Sequence, residues 1–233
     1  MARRLYLIFA SALFISACTE GESYKLPNDN FVVALGDERT EASVPEGNLI
    51  ATAIRESNDL DVVLYPSLLL RADRPTLLRT QMSGDDTEAL MDLYPDGTKD
   101  QFLVGSMSGR DLRQFVEDRS KENFNVDLQV AGFRYHVHYV GGWKNYSYFQ
   151  LEDGRTWDDD KNYRVAISKF YYFSGQTFPS YKYRNGMGLE NFVDSKFISA
   201  KESLRKYLQG GRPWPFLREP RATVTKATLS DVG

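Results

Sequence analysis

The segment from Leu128 to Tyr139 alternates between apolar and polar positions, and this pattern constrains the fold more than any other in the chain. Successive side chains of a β-strand point to opposite faces, so such alternation predicts a strand with one buried face. The phase of the alternation slips at Gly132, which predicts a β-bulge within this strand. The chain is therefore expected to build a sheet around this segment.

Helical and strand patterns follow one another along the rest of the chain without a regular βαβ order. Apolar residues at helical spacing mark the predicted helices, which are 47–57, 86–93, one capped by Ser108, and 199–208. Short apolar or alternating runs mark the predicted strands, which are 61–64, 102–107, 146–151 and 163–173. The pair Asp153-Gly154 is expected to join the last two strands by a turn. This irregular mixture predicts an α+β fold, a single domain with a mixed sheet and flanking helices.

The N-terminus carries the pattern of a bacterial export signal. Arg3 and Arg4 precede an apolar run from Leu5 to Ile15, which is too short to span a bilayer as a mature helix. Cys18, the one cysteine of the sequence, follows this run as in a bacterial lipobox. An ordinary cleaved signal with a cysteine nearby is the alternative. The predicted segments are a signal peptide at 1–17, a tether at 18–30, a domain at 31–211 and a tail without regular structure at 212–233.

A lipid on Cys18 would anchor the protein to a membrane. Thr19, not aspartate, follows the cysteine, which in lipoproteins of Gram-negative bacteria favours the outer membrane. We therefore expect a lipid-anchored protein of the bacterial cell envelope, on the periplasmic side of the outer membrane.

Composition argues against several classes of protein. The 29 lysines and arginines against 32 acidic residues give a net charge of −3, so no nucleic-acid partner is expected. The two histidines, His136 and His138, share a predicted strand face with Arg134. We interpret this as a half-exposed polar face, with a metal pair or a phosphate contact as the alternatives. The acidic run 158–160 is interpreted as a solvated loop and not as a calcium site.

Five short segments, spread in order along the chain, together carry the motifs of one known domain. They are Gly47-Asn48-Leu49-Ile50 with Ala53-Ile54-Arg55, Asp61-Val62-Val63-Leu64 with Ser67 and Arg71, Ser106 to Leu112, Leu128 to Tyr135, and Asn162 to Ala166 with Phe170 and Pro179. In this order they resemble the C-terminal domain of the 5′-nucleotidase/UDP-sugar hydrolase family. The resemblance implies the fold of that domain, which holds the nucleotide while a separate metallophosphoesterase domain performs the hydrolysis.

The resemblance also implies a ligand-binding site. Phe170 matches a position that stacks on the base, and Arg71 matches the arginine that closes a glycine-rich turn. The candidate ligand-binding residues are Asn48, Arg55, Arg71, Phe170 and Phe178. The chain departs from the family pattern at Pro66, Leu68, Leu69, Asp96 and 174–177. Losing one stacking ring at position 96 removes about 1–3 kcal/mol per base, so the pocket is expected to be degraded or rebuilt for another ligand.

Catalysis by this chain alone is not expected. A two-metal hydrolytic centre needs several converging imidazole and carboxylate ligands, and two histidines on one strand do not supply them. We predict no catalytic residues, no metal and no cofactor.

The resemblance therefore implies a substrate-binding or accessory half of a nucleotide-hydrolysing, nucleotide-catabolic system. Its partners would be a separate metallophosphoesterase chain and a nucleotide or nucleoside ligand. The alternatives are a binding module for another periplasmic or surface ligand, and a structural envelope lipoprotein with a degenerate pocket.

Overall fold

The computed structural model describes residues 23–25, 42–70, 81–83, 100–123, 125–140, 144–169, 192, 197–210 and 220–227. The elements in these ranges are, in order, β1 (Ser23–Lys25), α1 (Pro45–Ser57), β2 (Val62–Pro66), β3 (Gln81–Ser83), β4 (Gln101–Ser108), α2 (Gly109–Asn123), β5 (Leu128–Ala131), β6 (Phe133–Val140), β7 (Lys144–Leu151), β8 (Asn162–Ser168), β9 (Phe197–Ser199), α3 (Ala200–Gln209) and β10 (Ala222–Ala227). A 3₁₀ turn, Ser67–Leu69, follows β2 directly.

The strands form one large sheet and two smaller ones. The large sheet has the order β5-β2-β8-β4-β9, and within it β2 and β8 are parallel while the other neighbours are antiparallel. A three-stranded sheet has the order β10-β6-β7, with β10 parallel to β6. β1 and β3 form an antiparallel pair. The mixed sheet with flanking helices confirms the predicted α+β fold.

Two hydrophobic clusters lie on opposite faces of the large sheet, as the alternation of its strands requires. Along β2, Val63 and Tyr65 belong to the cluster that includes residues of α1 and α3. Their neighbours Val62 and Leu64 belong to the cluster that includes residues of α2 and of the three-stranded sheet. The large sheet is therefore covered on both faces, by two helices on one side and by a helix and a second sheet on the other.

The predicted bulge at Gly132 is instead a passage between two sheets. β5 ends at Ala131 in the large sheet, and β6 begins at Phe133 in the three-stranded sheet. Gly132 has a φ of +94°, and a Cβ at this position would lie 2.0 Å from the carbonyl oxygen of Asp61. Only glycine satisfies both conditions without strain. The prediction of one continuous strand was therefore wrong. Its alternation correctly gave the buried face of β6, but all four residues of β5 are buried.

The Asp153-Gly154 turn also differs from its prediction. Gly154 has a positive φ and its N–H donates to the carbonyl of Leu151, so the turn itself forms. However, β7 and β8 belong to different sheets and do not pair. The turn folds the chain back on the end of β7, where Gln150 pairs with Thr156.

Most of the other predicted elements are present with small shifts of their ends. Ser108 caps α2 by accepting a hydrogen bond from the backbone N–H of Asp111 at 3.1 Å, and Ser199 caps α3 in the same way through Glu202. The predicted helix at 86–93 lies outside the described residues, as does the end of the strand predicted at 163–173. None of the described helices is long and apolar enough to cross a membrane.

The C-terminal segment contains a strand that the sequence analysis did not predict. β10 runs parallel to β6 from Ala222 to Ala227, and Ala222 is fully buried. On its other side, Ala42 pairs with Thr223. The part of the predicted tail that the structure describes is therefore built into the fold.

Candidate functional site

The carboxyl ends of the two parallel strands, β2 and β8, meet at one edge of the large sheet. Leu64 pairs with Ile167 near these ends, and Pro66 and Ser168 are the last strand residues. β5 and β4 begin at the same edge, where Leu128 pairs with Pro66 and Phe102 pairs with Ser168. In open α/β sheets, ligands bind outside the carboxyl ends of the parallel strands, and β2 and β8 are the parallel pair of this sheet. We name this region, where β2 and β8 end and β4 and β5 begin, the carboxyl edge.

A buried glutamine ties the carboxyl edge to the start of α1. Gln129 is fully buried; its side-chain oxygen accepts a hydrogen bond from the Val44 N–H at 2.8 Å, and its amide donates to the Ser67 hydroxyl at 2.8 Å. Ser67 in turn donates to the carbonyl of Val126 at 2.7 Å. A Cβ on Gly47 would lie 2.4 Å from the same glutamine oxygen, so a larger residue there would displace the Gln129 side chain. These hydrogen bonds therefore tie the end of β2 to the start of α1 and to the segment before β5.

A buried ion pair fixes the start of β5 at the same edge. The Arg119 guanidinium donates to the Asp127 carboxylate at 2.5 Å, and both side chains are at most 9% exposed. The Tyr135 hydroxyl donates to the carbonyl of Leu128, and burial together with the negative charge of Asp127 raises the pKa of this tyrosine. These contacts join α2, β5 and β6 within the protein, so we assign them to the support of the edge.

A lysine lies at the end of β8, on the side of the carboxyl edge that faces β4 and β9. The Lys169 ammonium donates to the side-chain oxygen of Gln101 at 2.7 Å and lies 4.7 Å from the centre of the Phe197 ring. Phe197 is 45% exposed. Sequence reasoning missed all three residues; the available signal was the position of Lys169 directly before Phe170.

A cleft of about 420 Å³ opens beside these residues, between the ends of α1, β4, β9 and α3. Gln101 and Phe197 line it together with Asp100 and polar residues of the two helices. The Asp100 carboxylate accepts hydrogen bonds from the Ser199 hydroxyl at 2.5 Å and from the Lys201 N–H at 2.7 Å. Burial raises the pKa of Asp100, and these hydrogen bonds oppose that rise. This carboxylate is therefore directed into the first turn of α3.

The structure describes two of the five candidate ligand-binding residues, and both lie on α1. Asn48 is fully buried, and its backbone carbonyl accepts a hydrogen bond from the Arg221 guanidinium at 3.2 Å. Arg55, at the other end of the helix, donates to the Glu152 carboxylate at 3.1 Å. These contacts are within the protein and do not test ligand binding, so the assignment of both residues stays a prediction.

The other candidate residues lie outside the described ranges. Arg71 directly follows Leu70, which ends the described segment after β2, and Phe170 directly follows Lys169. Phe178 and the lipidation candidate Cys18 are further from any described element. The described neighbours of Arg71 and Phe170 are thus at the same sheet edge, although the two side chains themselves are not described.

A buried charge cluster joins α1 to the segment before β10. The Arg221 side chain is 7% exposed, and its Nε lies 2.7 Å from the Glu152 carboxylate, which also binds Arg55. The same guanidinium donates to the Thr52 hydroxyl at 2.8 Å and to the carbonyl of Val130 at 3.2 Å. Burial lowers the pKa of Arg221, and Glu152 opposes that effect. This cluster connects four segments that are distant in sequence.

The two histidines lie on the outer face of the three-stranded sheet, away from the carboxyl edge. His136 Nδ1 lies 2.7 Å from the Thr223 hydroxyl, and His138 Nδ1 lies 2.6 Å from the Thr225 hydroxyl. Burial and the neighbouring histidine lower the pKa of His136. Within the described ranges, no three histidine, cysteine or acidic side chains come together as a metal site would require. Both histidines are partly exposed on the face of β6 that alternates with its buried residues, as the polar-face interpretation expects.

The acidic run 158–160 packs against the first turn of α2. Asp159 and Asp160 pair with Arg113 and Arg110 at 3.0 and 2.7 Å. The backbone carbonyl of Asp159 also accepts from the Arg110 N–H. The run is thus solvent-facing in part, as interpreted from the sequence, but it is also anchored by two ion pairs.

The profile of the family described as "5′-nucleotidase, C-terminal domain" matches residues 27–183, which is more than half of the chain. The chain belongs to this family. The match begins before α1 and includes β2, β4 to β8 and both strand ends of the carboxyl edge. α3 and β10 lie beyond it, so this 5′-nucleotidase C-terminal domain carries additional described elements after the matched region.

Solved structures with the same fold include two 5′-nucleotidases. A 5′-nucleotidase precursor from Thermus thermophilus is 19% identical, with a TM-score of 0.52, over 83% of this chain and 39% of its own. A putative 5′-nucleotidase from Staphylococcus aureus, in complex with α-ketoglutarate, is 15% identical, with a TM-score of 0.55, over 88% of this chain and 40% of its own. A sulfate thiohydrolase from Thermus thermophilus is 18% identical, with a TM-score of 0.51, over 79% of this chain and 32% of its own.

The chain therefore spans about two-fifths of the length of each of the two nucleotidases and 32% of the length of the thiohydrolase. At these identities the likeness shows the fold alone. No curated protein matches the chain.

Proposed function

We propose that this chain is the substrate-binding half of a nucleotide-hydrolysing system and that it binds a nucleotide or nucleoside at the carboxyl edge. A separate metallophosphoesterase chain performs the hydrolysis in this proposal. The observation that carries it is the pairing of β2 with β8. β2 ends at Pro66 and is followed by the 3₁₀ turn and Leu70 before Arg71, and β8 ends at Ser168, with Lys169 before Phe170. The family resemblance assigns Arg71 and Phe170 to ligand binding, and the sheet brings the strands before them to one edge.

The placement of the histidines supports an accessory role. Hydrolysis by a two-metal centre needs imidazole and carboxylate ligands around both ions. The sequence has two histidines, and both are bonded to threonine hydroxyls on the outer face of the three-stranded sheet. Neither imidazole lies at the carboxyl edge, so the chemistry is assigned to a partner.

Binding is tested by titrating the purified chain with AMP, adenosine, UDP-glucose and glucose 1-phosphate in a calorimeter. The proposal expects saturable binding of at least one nucleotide or nucleoside. Arg71→Ala and Phe170→Ala are expected to weaken it. Arg110→Ala and Tyr148→Ala serve as matched controls, because they remove an arginine and an aromatic ring that are largely exposed elsewhere. If the two control variants lose as much affinity as Arg71→Ala and Phe170→Ala, or if none of the four loses affinity, the assignment of the site is wrong.

The accessory role is tested by a phosphatase assay on the chain alone, with AMP and added Mg²⁺, Mn²⁺ or Zn²⁺. No turnover is expected. Turnover that a chelator abolishes would show that the chain is itself a hydrolase. Mild-detergent co-purification from the source cells should recover a metallophosphoesterase, and its repeated absence would argue against a two-chain system.

A binding module for a different ligand is the second candidate, and the 3₁₀ turn after β2 favours it. The turn places Leu69 in the core and leaves Leu68 51% exposed at the carboxyl edge. A leucine takes space that a glycine would leave open to a ligand. A thermal shift caused by a ligand other than a nucleotide or nucleoside, with none caused by AMP or adenosine, would support this candidate.

We also propose that a lipid on Cys18 anchors the domain at the periplasmic side of the outer membrane. The support is the apolar run that precedes this cysteine. Cys18→Ala is expected to release the protein into the soluble envelope fraction. Unchanged fractionation of the variant would contradict the anchor.

A further inference from the structure

Two imidazoles lie side by side on the outer face of the three-stranded sheet. His136 and His138 are two residues apart on β6, and their ring centres are 6.2 Å apart with the ring planes 22° from parallel. Both residues are partly exposed. Imidazole nitrogens are ligands that Zn²⁺ and related transition-metal ions prefer. We name these two residues the histidine pair; the proposed nucleotide site does not use them.

Two threonines of β10 orient the rings of the histidine pair. Thr223 lies opposite His136, and its hydroxyl oxygen is 2.7 Å from His136 Nδ1. Thr225 lies opposite His138, and its hydroxyl oxygen is 2.6 Å from His138 Nδ1 and 3.4 Å from His136 Nε2. One nitrogen of each ring is thus directed at the same point, where the Thr225 hydroxyl lies. The contact of His136 Nδ1 with Thr223 is the kind of second contact that orients a metal-binding histidine.

The histidine pair supplies two ligands, whereas a structural zinc site has four. The sequence contains no third histidine. Within the described ranges, no acidic or cysteine side chain joins the pair to make a group of three. A second copy of the chain, related to the first by a two-fold axis, would present the same two imidazoles. Two copies together therefore provide four nitrogen ligands.

The surface beside the histidine pair is suited to contact with a second copy. Tyr148 lies opposite His136 on β7 and is 58% exposed. Tyrosine is enriched where proteins meet, because its ring is apolar and its hydroxyl is polar. Arg134, a positive residue on the same face, lies at the start of β6, close enough to Arg221 to act on its charge. The ligands are therefore flanked by an exposed ring on one side, and the positive charge lies toward the end of the strand.

We infer that the histidine pair is half of a zinc site that joins two copies of the chain, each copy supplying two imidazoles. The four nitrogens lie about 2.0–2.1 Å from the ion in such a site, and the Thr225 hydroxyl gives up the point between the rings. One copy alone leaves half of the coordination positions open, so the ion and the second copy bind together. This inference does not depend on nucleotide binding.

Sedimentation equilibrium with and without Zn²⁺ tests the inference. The chain is used without a polyhistidine tag and with Cys18→Ala, because a tag and the one thiol of the sequence are themselves zinc ligands. The chain is expected to be a monomer in EDTA and a dimer in Zn²⁺, with one ion bound per two chains. Added EDTA should reverse the association. Mg²⁺ prefers oxygen ligands and is expected to have no effect.

Three variants test which side chains hold the ion. His136→Gln and His138→Gln are each expected to abolish the Zn²⁺-dependent dimer, because two copies then supply two imidazoles and not four. Thr223→Val keeps the shape of the side chain and removes the hydroxyl that orients His136, so zinc affinity is expected to fall about 10- to 100-fold. Lys161→Gln, a change at an exposed residue directly before β8, is the matched control and should dimerise like the parent chain.

The outcomes are decided by mass and stoichiometry. One ion per chain with an unchanged mass would overturn the shared site, and so would a dimer that persists in EDTA or in the two histidine variants. A chain that binds no Zn²⁺ would overturn it as well. A dimer that needs Zn²⁺ and both histidines supports it. Nucleotide binding is measured separately with AMP and adenosine, so the proposed function can fail or stand independently of these results.

Discussion

Replacing Glu152 by glutamine tests how strongly the buried charge cluster holds the fold together. In the native structure this carboxylate lies between two guanidinium groups, with Arg221 Nε at 2.7 Å and Arg55 Nη1 at 3.1 Å. The glutamine keeps the size of the side chain and removes its charge. The Arg221 side chain, 7% exposed, would then keep only neutral partners while a second positive charge remains nearby.

Leaving a buried charge without its partner costs about 3–5 kcal/mol. The Glu152 side chain is 20% exposed, so water screens part of this effect and we expect the lower end, about 3 kcal/mol. Urea denaturation of a small domain has a slope of about 1–3 kcal/mol per molar. The midpoint of unfolding is therefore expected to fall by about 1–3 M urea.

Two further variants show whether the effect comes from the buried charge. Asp153→Asn removes the neighbouring, exposed carboxylate, which pairs with Arg155 at 2.6 Å, and no shift of the midpoint is expected. The double variant Glu152→Gln with Arg221→Met is expected to be more stable than Glu152→Gln alone, because the stranded charge is gone. A midpoint for Glu152→Gln close to that of the wild type, or strict additivity of the two changes, would refute the reasoning.

Four more variants test the backbone and one titrating group. Burial lowers the pKa of His136 below its ordinary 6.5. The folded state is therefore expected to lose stability as the pH falls below about 6.5. Urea titrations at pH 7.5 and 5 should show a smaller loss for His136→Gln than for the wild type. Gly132→Ala is expected to prevent folding or to destabilise the folded state severely. Gly154 also has a positive φ, but a Cβ there would meet open space, so Gly154→Ala should cost only about 1 kcal/mol of stability. Equal melting temperatures of the two variants in circular dichroism would refute the steric argument. Ser108→Ala is expected to cost about 1 kcal/mol through the lost cap of α2, and an unchanged melting temperature would contradict this.

The sequence alone predicted those parts of the fold that depend on local patterns. The apolar face of α2 and the alternation of β6 after Gly132 are set by side chains a few residues apart, and the structure confirms them. A phase slip at a glycine is the same local signal for a bulge and for a passage between sheets. The carbonyl of Asp61, which approaches Gly132, decides between them, and this contact is not visible in the local sequence.

The missed elements depend on distant partners. β10 contains the β-branched run Thr223-Val224-Thr225, which is typical of a strand. Its partner is the edge of β6, which lies far away in the sequence. An arginine before a strand normally indicates solvent, so the burial of Arg221 was not predicted either. At the carboxyl edge, the resemblance supplied Arg71 and Phe170, whereas Lys169 becomes noticeable only when its partners on β4 and β9 are known.

The contact between Ser43 and Arg221 has a consequence for the kinetics of folding. The two residues are 178 positions apart and are joined by a hydrogen bond of 2.6 Å. β2 also pairs in parallel with β8, where Val62 and its partner Val165 are 103 positions apart. Such high contact order is expected to make folding slow. A ribosome-bound chain cannot close this structure before it has grown past Arg221, which would favour export in an unfolded state if the predicted signal peptide operates.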